Sequence, residues 1–366
     1  MFPWFSTMLY AERDDFKDLQ PIPQDEGPSP LAPINYSPKC ECRDPCFVGS
    51  LALKMTPDKD AMDMFRAVVH ANEKSERALG LTEDIIRMNA GHYTVWHYRT
   101  TIIVELGLDI QAELKLMDEL STEFLKSYQV WHHRRLCVGL LATSTSPFAS
   151  KDAPAAVTIA ASPETSSPPP PLESSKELAQ SELKFVAELF YATDDPKNYH
   201  TWVYRQWILT YFDKILQDED RHLEFEFIES LIKDDIYNNS VWSHRFFCLF
   251  KLGWLQTTLE AEIEYVLSKI GIAPSNMSSW NYLRGLLKAN RRGLNDERVL
   301  QFSETLVKAK SASDDMKPPV PALEWLADAA LEDKNPIATK YYLQLKEMDP
   351  IRRHYWSWKS HLALAA

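Results

Sequence analysis

A tryptophan followed three residues later by an arginine occurs four times in this chain: Trp96 with Arg99, Trp131 with Arg134, Trp202 with Arg205, and Trp242 with Arg245. Eleven tryptophans and 17 arginines among 366 residues would give about half of one such pair by chance. The surroundings agree as well, because a tyrosine or asparagine stands three residues before each tryptophan (Tyr93, Tyr128, Tyr199, Asn239). A weaker fifth copy surrounds Trp280, its arginine slipped by one to Arg284. The tryptophans are spaced 35, 71, 40 and 38 residues apart, and Trp356 lies 76 beyond Trp280. Setting aside about 34 inserted residues restores the long spacing to the period of the others. A repeat of this length is the mark of stacked supersecondary units. Five clear repeats and two degraded ones follow, one of the latter near Pro321 to Trp325.

Each period has room for two helices of roughly 12 to 17 residues with short connections. One helix is expected near Thr94 to Leu106 and its neighbour near Ile110 to Lys126, where Ile110, Leu114, Met117 and Phe124 share a face. Leu259, Ile263, Val266 and Ile270 form a second such stripe. A helix pair cannot bury its apolar face alone, so neighbours stack. The fold class is therefore all-α, an α-α superhelix of helical hairpins with a curved, concave surface. The recurring Trp reads as an inter-helix packing anchor, and the Arg one turn later as a support for nearby acidic or carbonyl groups.

Other architectures are excluded by what is scarce. Average usage would supply about 26 glycines in this length, and the chain has 10. No G-x-G and no G-x-x-x-x-G-K occurs, which rules out glycine-loop nucleotide sites. A net charge of −12 argues against non-specific nucleic-acid binding. No apolar run reaches the roughly 18 residues of a membrane helix, the start lacks a basic signal-peptide region, and five cysteines do not form a secreted framework. The expected location is cytoplasmic. Cys137 and Cys248 sit in apolar stretches and read as buried thiols. Residues 1–57 form a leader with six prolines between 20 and 38, expected to be extended or loosely attached, and a Cys40, Cys42, Cys46 cluster. That cluster lacks a fourth zinc ligand, so reduced thiols are its default reading. The helical-repeat domain covers 58–366, interrupted at 142–175 by an insertion in which 22 of 34 residues are Ser, Pro or Ala.

Enzyme signatures are missing: no H-E-x-x-H, no G-x-S-x-G, and adjacent His132 and His133 that cannot share a metal from one helix. The informative positions lie just before each W-x-x-R helix. In a stack these loops line one edge and present Lys126, Tyr128, Tyr199 and His200. Thr94, Ser240 and Ser278 are explained as helix caps. Capping does not call for Lys or Tyr. A lysine beside a helix N-terminus, with tyrosine hydroxyls nearby, suits a phosphate or diphosphate group.

With these residues in place, the chain resembles the α subunit shared by protein farnesyltransferase and protein geranylgeranyltransferase type I. The similarity rests on the run Lys126 to Arg135, on Lys197 to Trp202, and on the leader from Pro21 to Pro30 with Ile34 to Ser37. It covers about residues 16 to 362, apart from two stretches that look like insertions, roughly Cys40 to Asp58 and 142–175. The resemblance implies a crescent of paired helices wrapped around a β subunit that holds the catalytic zinc, with magnesium as a candidate second ion. It implies transfer of a prenyl group from its diphosphate to the Cys of a C-terminal C-a-a-X sequence, with this chain inactive alone. By the same resemblance Lys126 contacts the diphosphate and Tyr128 stands beside it. Tyr199 and His200 bind the prenyl diphosphate, and Asn198 supports their loop. Gln129 bonds the substrate's C-terminal carboxylate, and Tyr93 lines the pocket for the X residue. Ser127 and His92 stand where the family more often has Asn, changes read as neutral for capping. Two alternatives stay open: a non-catalytic, TPR-like peptide-binding scaffold, and the Rab-type α subunit, which Gln129 and the leader disfavour.

Overall fold

The computed structural model describes residues 8–24, 57–142, 173–254, 258–311 and 318–365, and the Cys40, Cys42, Cys46 cluster lies outside them. The described residues are helical, with no strand among them. They divide into two compact units, one ending at Ile215 and one beginning at Leu216.

The first unit holds α1 (Pro57–His70), α2 (Glu76–Met88), α3 (Tyr93–Leu106), α4 (Ile110–Glu123), α5 (Tyr128–Ala142), α6 (Glu173–Ala192) and α7 (Tyr199–Tyr211). Helix α2 packs on α1 and α3, α4 on α5, and α6 on α5 and α7, and the W-x-x-R helices α3, α5 and α7 lie side by side. Local chemistry sets the ends. Gly107 takes a left-handed φ of 63° to close α3, a conformation glycine adopts without steric cost. Asp109 then opens α4 by accepting from the Gln111 N–H. The expected second helix is shorter than its apolar stripe suggested, ending at Glu123, where Phe124 leaves helical geometry.

Residues 8–24 dock on α1 and α2. Tyr10 and Phe16 are buried, and Asp60 accepts from the Tyr10 and Ala11 N–H groups. Ile22 forms a backbone bond to Asp63 and accepts from Arg66. The described start of the proline-rich run is thus extended and tied to the first helix. Helix also takes in both ends of the Ser/Pro/Ala-rich segment set at 142–175, since α5 runs through Ala142 and α6 begins at Glu173. The Ser175 hydroxyl lies 3.5 Å from the Ala142 carbonyl, so the chain leaves and rejoins the stack at neighbouring points. Residues 143–172 lie outside the described set.

The second unit holds α8 (Asp218–Asp234), α9 (Asn239–Phe250), α10 (Leu259–Ile272), α11 (Met277–Ala289), α12 (Glu297–Ser311), α13 (Val320–Glu332), α14 (Ile337–Met348) and α15 (Arg353–Ala365). Here α9 and α11 lie side by side, and the last four helices pair in sequence. In the two degraded repeats Trp325 and Trp356 remain fully buried.

The conserved geometry of the repeat explains its tryptophan. In all five clear repeats the indole is buried, and its N–H donates to the carbonyl six residues earlier. The acceptors are Ala90, Leu125, Pro196, Ile236 and Pro274, at 2.8–2.9 Å. One side chain therefore fills the inter-helix space and also fixes the loop that precedes its own helix. Truncating such a buried Trp costs about 3–5 kcal/mol.

Candidate functional site

Buried carboxylates staple neighbouring repeats at three places. Glu113 on α4 receives a two-pronged bond from Arg99 of α3 (2.8 Å each) and a third from His133 of α5 (2.8 Å). Glu182 on α6 likewise takes Arg134 of α5 and the Tyr204 hydroxyl of α7. In the second unit Glu262 on α10 joins Arg245 of α9 to Tyr282 of α11. The Arg99–Glu113 partners are 14 residues apart and the Arg134–Glu182 partners 48, so the 34-residue excess sits inside one repeat and the register resumes after it. Arg205 donates to the Leu183 carbonyl. The reading of the repeat Arg as a support for acids and carbonyls agrees with these bonds.

The protonation of the first staple follows from its donors. Thr100 donates to the Trp96 carbonyl at 3.0 Å and so meets the His133 Nδ1, 3.2 Å away, as an acceptor. The other ring nitrogen faces the Glu113 carboxylate. Both nitrogens therefore carry protons, and His133 is an imidazolium. Burial opposes that charge, but the Cys137 sulfur and the Glu113 carboxylate outweigh it and raise the pKa to about 9. Burial likewise acts to raise Glu113, and the bonds from His133 and Arg99 overcome it, lowering its pKa to about 2.

These staples hold one edge of loops in place. Tyr93, Tyr128 and Tyr199 are the first residues of α3, α5 and α7 and are 70%, 68% and 62% exposed. Lys126 and Ser127 form the turn before α5, pinned through the Leu125 carbonyl by Trp131. The turn before α7 is pinned through the Pro196 carbonyl by Trp202. Buried Asn198 caps α7, its side-chain oxygen accepting from the His200 and Thr201 N–H groups at 2.9 and 3.2 Å. The Tyr128 and His200 rings meet edge to face at 4.3 Å, and Tyr199 meets His200 at 5.5 Å. Burial lowers the His200 pKa, so its ring is neutral near pH 7 and offers one N–H donor.

The fold thus brings together Lys126, Tyr128, Asn198, Tyr199 and His200 from two adjacent repeats. Tyr93 lies one repeat earlier on the first turn of α3, and half-buried Gln129 follows Tyr128; neither shares in these ring contacts. Asp195 joins the group without having been singled out in the sequence. Its carboxylate lies 3.5 Å from the Lys126 ammonium and accepts from the Asn198 side chain at 3.3 Å. With its tyrosines more than half exposed, this edge does not by itself enclose a ligand.

The capping expectation needs correction. Ser240 and Ser278 do not cap α9 and α11; their N–H groups are the ones capped, by Asn238 and Asn276. The cap needs a residue outside the helix, and both serines already lie inside it. Thr94 is likewise inside α3, behind His92, which makes no side-chain capping bond. Ser127 keeps a different bond of that position, donating to the Ala90 carbonyl much as Asn276 donates to Ile236.

Metal-ligand geometry appears among the described residues at Glu224, His244 and Cys248. All three are buried, at 2%, 0% and 0% exposure, and the same residue types recur at the same spacing in Glu113, His133 and Cys137. A catalytic zinc keeps a coordination position open to substrate. This closed packing feature does not fit one. Cys137 and Cys248 are buried free thiols.

The protein prenyltransferase alpha subunit repeat matches residues 75–106, 110–141, 179–212, 222–252 and 259–290. Each match contains one of the five repeat tryptophans, and the phase pairs α2 with α3 rather than α3 with α4. The protein farnesyltransferase/geranylgeranyltransferase type-1 subunit alpha of Pisum sativum is 32% identical over 97% of this chain and 95% of its own length. The geranylgeranyl transferase type-2 subunit alpha of Saccharomyces cerevisiae is 23% identical over 76% of this chain and 84% of its own. Among solved structures, a chain of Candida albicans protein geranylgeranyltransferase-I complexed with GGPP superposes with a TM-score of 0.72 at 28% identity, covering 95% of this chain and 98% of that one. In the described residues no helix is long and apolar enough to cross a membrane. The chain belongs to the protein prenyltransferase α subunits, and its likeness runs to the farnesyltransferase/geranylgeranyltransferase type-1 branch over essentially its whole length.

Proposed function

We propose that the loop edge around Lys126 is this subunit's contribution to a prenyl-transfer site completed by a β subunit. The substrates are farnesyl or geranylgeranyl diphosphate and a protein ending in C-a-a-X. The substrate Cys thiolate attacks C1 of the isoprenoid, a carbon–sulfur bond forms, and the C1–oxygen bond breaks with its electron pair leaving on the diphosphate. Zinc on the β subunit, with magnesium as a second candidate ion, supplies the charge that keeps the thiol ionised and helps the leaving group depart. The residues of this chain act on the other end of the breaking bond.

Negative charge grows on the diphosphate as the bond breaks, and a cation placed there beforehand stabilises the transition state more than the ground state. Lys126 supplies that cation beside the first turn of α5. Tyr128, held by its ring contact with His200, offers a hydroxyl on the same edge. Tyr199 and neutral His200 bind the prenyl diphosphate as hydrogen-bond donors, and Asn198 sets their turn through the α7 cap. Gln129 takes the substrate's terminal carboxylate, and Tyr93 lines the pocket for the X residue. The same reading places the enzyme in the cytoplasm.

The observation that carries this reading is the meeting of an ammonium, a phenol and a neutral imidazole from two repeats on one exposed edge. The test is co-expression with a β subunit and single-turnover transfer to a C-a-a-X peptide. Lys126→Ala is expected to slow the chemical step by about 10²-fold, the range for removing one preorganised donor, with little change in prenyl diphosphate affinity. An unchanged single-turnover rate would overturn the assignment. A stable monomer that gains no diphosphate affinity in any complex would support a peptide-binding scaffold instead.

A further inference from the structure

We infer that Asp195 is a positioning residue for Lys126, an inference that rests on the diphosphate-facing role just proposed. Lys126 is 79% exposed at its side chain. A lysine on a four-carbon stem at that exposure samples many rotamers in solvent, and each wrong one removes the ammonium from the diphosphate. Asp195 limits that freedom from the neighbouring repeat. Its carboxylate oxygen lies 3.5 Å from the ammonium and also accepts from the Asn198 side chain at 3.3 Å.

Asp195 can act this way because it is itself held. Its carbonyl accepts the Asn198 N–H at 3.1 Å, Asn198 is buried and locked by the α7 cap, and the next carbonyl, of Pro196, is fixed by Trp202. The preceding residue, Asp194, stands at a φ of 50°, which bends the chain so that Asp195 follows directly. On the other side, the turn carrying Lys126 is fixed by Trp131. Two anchored turns thus face each other, and the one flexible element between them is the lysine stem. An ammonium has three N–H donors, so the ion pair with Asp195 at 3.5 Å leaves donors to face the leaving group.

A carboxylate so near a diphosphate repels it. Asp195 therefore does not serve ground-state binding, and its value lies in keeping Lys126 aimed during the chemical step. This separates the inference from a purely structural role.

The test uses the assembled α–β heterodimer and a four-member cycle of wild type, Asp195→Asn, Lys126→Ala and the double variant. Asp195→Asn keeps a side-chain oxygen for the Asn198 amide and removes the charge. It is expected to lower kcat about three- to five-fold, the scale of one partly exposed ion pair, with prenyl diphosphate affinity equal to or tighter than wild type. In the Lys126→Ala background the same substitution should have no further effect, and Asp195→Glu should restore most of the rate. An equal loss in both backgrounds, a weakened prenyl diphosphate affinity, or an unchanged or faster kcat would overturn the inference. Asp195→Ser, with its own short acceptor, repeats the measurement if the Asn variant assembles poorly. If wild type transfers no prenyl group, or Lys126→Ala leaves the step unchanged, the reading of the site has failed. If Lys126→Ala slows it and Asp195→Asn does not, only the role of Asp195 has failed.

Discussion

Replacing Glu113 by Gln tests the inter-repeat staple at its centre. The amide keeps the shape of the carboxylate but removes the charge that two buried cations share, Arg99 at 3% exposure and His133 at 2%. Breaking a buried pair by removing one partner typically costs about 3–5 kcal/mol. The pH dependence gives a second, independent handle. The folded-state pKa of His133 is about 9, above the roughly 6.5 of an unfolded histidine. The stability from its charge is therefore fully present below pH 6.5 and is lost as pH rises through 9. A gap of that size corresponds to about 3 kcal/mol. The lowering of Glu113 to about 2 describes the same pair from its acidic side, where stability is present above pH 4.5 and lost as pH falls through 2; the two are not added. In Glu113→Gln, the Cys137 sulfur still opposes burial but the carboxylate's share of the rise is gone, so the loss between pH 6.5 and 9 is smaller. Urea unfolding of both chains by far-UV circular dichroism, from pH 6 to 9.5, should show their stability difference shrinking as pH rises. A difference that stays constant across this range would refute the imidazolium assignment and the bond count at Thr100 on which it stands.

Two further outcomes follow from the loop edge. Trp131→Phe keeps most of the buried ring and removes the N–H bond to Leu125, so it should cost about 1–2 kcal/mol. Because that bond fixes the turn bearing Lys126, single-turnover transfer in the heterodimer should also slow, while the equivalent Trp242→Phe should cost similar stability and leave the chemical step untouched. Asn198→Ala removes the cap of α7 and should cost about 1–2 kcal/mol in thermal unfolding, and it should weaken prenyl diphosphate binding, since His200 and Tyr199 sit on that first turn. Unaltered binding in a destabilised Asn198→Ala dimer would separate the cap from the site.

Much of the candidate site was legible because its residues are local to the repeat. A lysine, two tyrosines and a histidine just ahead of W-x-x-R exceed what helix capping needs, and a helix start fixes where such residues point. Asp195 escaped notice because it matters through Lys126, 69 residues earlier, and nothing near Asp195 in the chain marks that partner. The staple glutamates were missed for a related reason, although a signal existed: Glu113, Glu182 and Glu262 precede the next repeat tryptophan by 18, 20 and 18 residues. Single acidic residues are common enough that this spacing stands out only after Arg99 and His133 are seen to meet on one of them. The capping error at Ser240 and Ser278 came from placing helix starts two residues late, where Asn238 and Asn276 were equally good caps.

The period of the tryptophans, by itself, determined that this chain is a stack of helical hairpins, since a helix pair with one buried face has no stable form except against its copies. It also determined which loops share an edge, because the register of the repeat carries across an insertion of any length. The pairing of charges was decided only in the tertiary structure. An ion pair depends on distances of a few ångströms between side chains on different helices, and those distances follow from the packing angle and rise of the stack. Arg99, Glu113 and His133, like Lys126 and Asp195, are partners because the tryptophans set the spacing between their helices.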